Sequence, residues 1–325
     1  MKYCFLPIII LLSLFACKND KAVDTPIVRV KNLPIPRFNS STAYHFVAKQ
    51  VEFGPRVPNT EAHQATKKWL VSQLKKHGAK VIEQDFVATA YTEEKLNSTN
   101  IIGQYNPQAK ERIILAAHWD CRHITDKDPD ETKRDLPVDG ADDGASGVGV
   151  LLEIARHLEK LPDYMGVDII FFDAEDYGTP TKTDTYGLGA QYWSKNPHVK
   201  NYKAKYGILL DMVGGQNAHF RKELYSMQYA LELTNKVWKL AGEMGRGAYF
   251  LDELGEGIAD DHYFVNRIAG IPMIDIINLP KDSEQTFVKH HHTTYDNMSR
   301  IDKKTLWTVG QVVLAVVFNE AMGEF

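Results

Sequence analysis

The chain has 325 residues, of which 44% are hydrophobic and 25% charged, and a formal net charge of −4. This length suits one large α/β domain with a sizeable core. The near-neutral balance gives no reason to expect nucleic acid as a partner.

The N-terminus reads as a targeting segment. Lys2 supplies a positive start, and Phe5–Ala16 is an apolar run too short for a comfortable membrane span. It stops at Leu14-Phe15-Ala16-Cys17, which resembles a bacterial lipobox. The expectation is a lipoprotein signal peptide over 1–16, lipidation of Cys17, and an exported chain. The lipid would anchor it to a bacterial membrane, facing the periplasm or the cell surface. The bulky Phe15 leaves a plain cleaved signal as the alternative. Residues 17–40, which hold Pro26, Pro34 and Pro36, read as a polar tether and extended lead-in. Of the three cysteines, Cys4 leaves with the signal and Cys17 carries lipid, so Cys121 stands alone and no disulfide is expected.

Helical spacing is predicted near Thr42–Val51, and again near Thr60–His77 up to Gly78. Strands are predicted near Lys80–Val87, Ser98–Tyr105 and Arg112–Ala117, the last a buried run ending at His118-Trp119-Asp120. A polar loop, Arg122–Val138, precedes a Gly-rich turn and a helix over roughly Ala145–Lys160. The apolar strand that follows ends in the adjacent acids Glu175 and Asp176. Further on come a short helix near Ala190–Ser194, a strand Tyr206–Leu210 stopping at Asp211, and a helix near Tyr225–Gly242. A Gly-rich loop then leads to Asp260-Asp261-His262, a strand Pro272–Ile277, the run His290-His291-His292 and a closing helix, Asp302–Ala321. This alternation argues for a single α/β domain over 41–325, with a twisted, mostly parallel central sheet flanked by helices.

His118, Glu175-Asp176 and Asp211 each follow a predicted buried strand. In an open α/β sheet, the crevice outside the C-terminal strand ends is where ligands bind. Asp143, in the turn before a helix, and His292, in a late loop, can join them. Two imidazoles and three Asp make an oxygen and nitrogen donor set that suits zinc. The turn Gly140–Gly147 is Gly-rich like a phosphate loop, but its two Asp would repel phosphate and it lacks the Walker Lys. No G-x-S-x-G elbow supports a serine hydrolase. A carboxyl group beside a Lewis acid can move protons, and Glu175 adjoins Asp176.

His118-Trp119-Asp120, GADDGASG at Gly140–Gly147, FFDAED at Phe171–Asp176, LLDMVG at Leu209–Gly214 and HHTTYDN at His291–Asn297 together resemble the zinc aminopeptidase and glutaminyl cyclase superfamily. Within it, the closer likeness is to the animal-type glutaminyl-peptide cyclotransferases. The resemblance implies a zinc-aminopeptidase-like fold and one zinc held by Asp143, Asp176 and His292. It implies Glu175 as the acid/base, and Asp211, bonded to Asp260, as the acid near the substrate's α-amine. Phe287 falls where the family has a pocket aromatic. His291 stands where animal members have Trp, and Asp275 where they have His; both departures bear on the pocket and its hydrogen bonds rather than on the metal. The implied substrates are peptide or protein N-termini bearing Gln. A zinc aminopeptidase is the rival, with His118 and Asp211 as ligands of a second zinc. A catalytically dead binding domain is the alternative of another class. No stripe for self-association stands out.

Overall fold

The computed structural model describes residues 1–3, 27–281 and 286–325. The core of the expected signal peptide, Cys17 and the first part of the tether, up to residue 26, lie outside the described residues.

In chain order the elements are α1 (Ser40–Glu52), α2 (Glu61–Lys76), β1 (Lys80–Thr89), β2 (Lys95–Tyr105), β3 (Glu111–His118), α3 (Ala145–Ala155), β4 (Met165–Phe172) and α4 (Leu188–Lys195). These are followed by β5 (Gly207–Asp211), β6 (Phe220–Lys222), α5 (Leu224–Glu243), β7 (Phe250–Leu254), α6 (Asp261–Phe264), β8 (Met273–Ile277) and α7 (Lys303–Met322). Six strands form one sheet in the order β1-β2-β4-β3-β5-β8. The four strands β4, β3, β5 and β8 are parallel, and the β1–β2 hairpin extends the sheet antiparallel.

Side chains alternate faces along a strand, and both faces of this sheet are covered. Ile113, Leu115, Val167, Ile169 and Phe171 enter the larger core, shared with α1, α2, α3, α5 and α7. Ile114, Ala116, Ile170, Phe172 and Leu209 enter a second core, with Trp193 of α4 and Phe264 of α6. Every residue of β4 is buried, which explains the apolar run Ile169–Phe172. α7 is long and apolar enough to cross a membrane by composition, but 78% of that window is buried within the fold.

The structure departs from the sequence-based elements in three places. α3 stops at Ala155, and only a 3-10 turn continues over Leu158–Lys160. The buried Glu153 pairs with Arg156 (2.7 Å) and His157 (3.3 Å), the two residues just past the helix. α5 is kinked at Ala230, whose carbonyl accepts the Thr234 hydroxyl at 3.0 Å. The short strands β6 and β7 form a separate small sheet within a stretch expected to be loop and helix. β6 is too short to show a period.

Candidate active site

β3, β4 and β5 deliver their acids and His118 to one end of the parallel sheet. His118 closes β3, Asp211 closes β5, and Glu175-Asp176 lie just past β4. The chain crosses over β3 between β4 and β5, so this is a topological switch point. Gly144, with φ +66°, opens α3 next to His118; a Cβ there would come within 2.7 Å of the His118 ring and carbonyl.

Asp120 builds the turn that presents the paired acids. Its two oxygens accept the backbone N–H groups of Glu175 (3.1 Å) and Asp176 (3.2 Å). The N–H of Gly187 donates to the Glu175 carbonyl at 3.0 Å. Asp296 does the same work for the second acidic turn, accepting from the N–H groups of Asp142 (2.8 Å) and Asp143 (3.2 Å). Asp142 in turn accepts from the Gly214 N–H at 2.8 Å and sits 2.8 Å from His290 Nε2.

Ala174, Met212 and His292 all have positive φ (+53°, +46° and +58°). Each costs on the order of 1–3 kcal/mol, and such residues concentrate where side chains must be aimed. Here they flank Glu175, follow Asp211, and include His292 itself.

The donors converge. His292 Nε2 lies 3.1 Å from Asp176 Oδ1 and 3.7 Å from Asp143 Oδ2. His118 Nε2 lies 3.0 Å from Asp143 Oδ1 and 3.2 Å from Asp211 Oδ1. Among the described residues three sets have the spacing to hold a metal ion: Asp143-His291-His292, with Asp176 on the imidazole of His292, then His118-Asp143-Asp211, and Asp260-His262-Asp275. Behind them, Asp126 reaches His292 Nδ1 at 3.3 Å and accepts both Nε and Nη2 of Arg122 at 2.8 and 2.9 Å. Arg122 Nη1 donates to Asp176 Oδ1 at 3.2 Å.

The two neighbouring acids have opposite electrostatics. Burial works against ionisation of Asp176, but His292, Arg122 and His118 outweigh it and bring its pKa down to about 2. Burial pushes Glu175 well above the usual carboxylate range, and the charges of Asp260, Asp176 and Asp261 add to it against His118. Asp211 is also raised well above its ordinary value, by burial and Asp143. Burial raises Asp260, and raises Asp275 further with the charges of Asp260, Asp211 and Glu223. Both Asp275 oxygens and Asp260 Oδ2 are buried without a hydrogen-bond partner.

Residues 100–317 match the sequence model of Peptidase family M28. The chain belongs to peptidase family M28. The proteins this chain resembles include both exopeptidases and glutaminyl cyclases. A Bacteroides thetaiotaomicron glutaminyl cyclase, solved bound to N-acetylhistamine, is 51% identical with a TM-score of 0.86, over 88% of this chain and 99% of that one. A Zn-dependent exopeptidase from Parabacteroides distasonis is also 51% identical with a TM-score of 0.86, over 88% and 100%. The glutaminyl-peptide cyclotransferase of Bothrops jararaca is 26% identical over 252 residues, 68% of this chain. The match spans 65% of that relative's own length.

In this M28 chain the site opens into a cavity of about 310 Å³. Asp143, Glu175, Asp176, Asp211, Asp260 and His292, all expected in the site, line it. Phe287 and His291 form one wall, their rings stacked at 4.1 Å, and the His291 ring stacks on His292 at 3.6 Å. Burial, with the charges of His292 and Lys127, pushes the His291 pKa well below its usual value. Asp275 and His118 do not reach the cavity surface; they stand behind Asp260 and Asp211. Sequence reasoning did not single out Asp120, Asp126, Arg122 or Asp296, which hold the site from behind. Asp120 and Asp296 sit inside the quoted motifs, which was the available signal. Arg122 and Asp126 lie in a polar loop with none. Cys121 is fully buried, and burial pushes its thiol up to about 12, so it is no nucleophile.

Proposed function

We propose that this chain is a zinc-dependent glutaminyl cyclase, converting the N-terminal Gln of peptides or proteins to pyroglutamate with release of ammonia. The observation that carries the reading is the pair at the end of β4, in which burial keeps Glu175 protonatable while its neighbour Asp176 is held ionised. Sequence identity of 51% to a glutaminyl cyclase supports it.

Asp143, Asp176 and His292 are the residues that would hold a single zinc. They fit it: two carboxylates and an imidazole, with Asp126 at the far ring nitrogen of His292 as an orienting partner. When bound, zinc supplies a Lewis acid for the side-chain amide carbonyl of the substrate. Glu175 takes a proton from the substrate's α-amine as its nitrogen bonds to the amide carbon. It returns that proton to the amide nitrogen, which leaves as ammonia. A carboxyl lifted by burial suits a group that must both accept and donate. Asp211 and Asp260 receive the α-amine, and Asp275 supports Asp260 from behind. Phe287 and His291 enclose the Gln side chain.

A zinc aminopeptidase is the second reading, carried by the spacing of His118, Asp143 and Asp211 as a further three-donor set. Ammonia release from a Gln-initiated peptide, set against amino-acid release from a Leu-initiated one, separates the two. One zinc per chain accompanies the first outcome and two the second. The lipid anchor at Cys17 completes the reading, giving a catalytic domain over 41–325 exported and held at a membrane. Incorporation of labelled palmitate into the wild type, and its loss in Cys17→Ser, tests the anchor.

A further inference from the structure

The depth and the mouth of the cavity carry opposite charge. The carboxylates of Asp143, Glu175, Asp176, Asp211 and Asp260 lie in its buried part, whereas Lys127, Pro180, Thr183 and Thr286 are exposed around its opening. Among the described residues lining the cavity, Lys127 is the one Lys or Arg.

Lys127 is held in place rather than free to swing. Its backbone N–H donates to the His292 carbonyl at 3.2 Å. Its ammonium donates to His291 Nδ1 at 2.8 Å and stands 5.0 Å from the centre of the Phe287 ring. An ammonium has three N–H donors. One is used on His291, which leaves donors for a group passing the mouth. An N-terminal Gln that places its amine and amide among the buried acids must lead its next residue out past this rim.

We propose that Lys127 is a specificity-determining residue that reads the second residue of the substrate, favouring an acidic side chain there and disfavouring a basic one. The inference rests on the cyclase reading above. A carboxylate at the rim gains a charge-assisted hydrogen bond, and an ammonium there meets a like charge. The contact is partly solvated, so its effect is modest and screened by salt.

The test compares C-terminally amidated peptides, so that no terminal carboxylate can stand in for the side chain. Gln-Glu-Ala-amide and Gln-Lys-Ala-amide are assayed with the wild type, Lys127→Met and Lys127→Glu. The readout is the ratio of kcat/KM for the two peptides, which cancels any general damage done through His291. The expected result is that the ratio of Glu to Lys falls roughly tenfold in Lys127→Met, and further in Lys127→Glu. Raising the salt should shrink the wild-type ratio toward that of Lys127→Met. Cyclisation with a ratio unchanged within about twofold in both variants would overturn the role of Lys127 and leave the cyclase reading standing. Release of free Gln in place of cyclisation by the wild type would overturn both.

Discussion

Asp120 grips the backbone of Glu175: one carboxylate oxygen accepts the Glu175 N–H at 3.1 Å while the other accepts that of Asp176 at 3.2 Å. A single buried side chain at the end of β3 thus sets the aim of two acids at the end of β4. Truncation in Asp120→Ala leaves two buried N–H groups without partners, at about 1–3 kcal/mol each. We expect Asp120→Ala to lower both the melting temperature and kcat. Asp120→Asn, which keeps one good acceptor, should fall between Ala and wild type. Thermal unfolding and steady-state kinetics on the three proteins check this order.

Glu175 and Asp176 should fail in different ways. Glu175→Gln removes the proton carrier but no proposed metal ligand, so zinc content should stay at the wild-type level while kcat falls roughly 10²–10⁴-fold. Asp176→Ala should lose zinc itself. Elemental analysis of the purified variants alongside kinetics makes the distinction. A Glu175→Gln protein turning over near the wild-type rate would remove Glu175 from the mechanism.

Asp126 ties His292 Nδ1 and Arg122 together behind the site. Partners of this kind typically govern metal affinity by about 10–100-fold. Asp126→Ala should therefore weaken zinc binding by about that factor in a chelator competition, with the fold intact by circular dichroism.

Legibility in the sequence followed the range of the interactions. Buried strands write themselves as local apolar runs, Ile113–Ala117 and Ile169–Phe172, and the change to charge at His118 and Glu175 marks where each run leaves the core. The proposed metal donors could be read because they close such runs or sit in quoted motifs. Arg122, Asp126 and Lys127 could not, because nothing in their loop has a period. Their places come from contacts with Asp176 and His291-His292, far off in sequence.

Away from the site, acid should weaken the fold through Asp168. Burial opposes its ionisation, but the His198 ring 3.7 Å away, the Arg112 charge and the Tyr202 hydroxyl outweigh this and lower its pKa. A carboxyl lowered in the folded state stabilises above its unfolded pKa of about 3.9, and that contribution is lost as pH falls through the folded value. Asp168→Asn leaves Arg112 buried without its carboxylate (now at 2.7 Å). It should cost about 3–5 kcal/mol at neutral pH. The gap to wild type should narrow as the pH is taken below about 4, as measured by denaturant unfolding across that range.

The central claim is that the substrate's own α-amine, and not water, attacks the side-chain amide under the control of Glu175. A Gln-initiated peptide carrying nitrogen-15 only on its α-amine, incubated with the enzyme in oxygen-18 water and read by mass spectrometry, tests it directly. The account predicts that the peptide loses unlabelled ammonia, keeps its nitrogen-15 in the new ring and takes up no oxygen-18. Release of labelled free Gln, or oxygen-18 in the product, would contradict it.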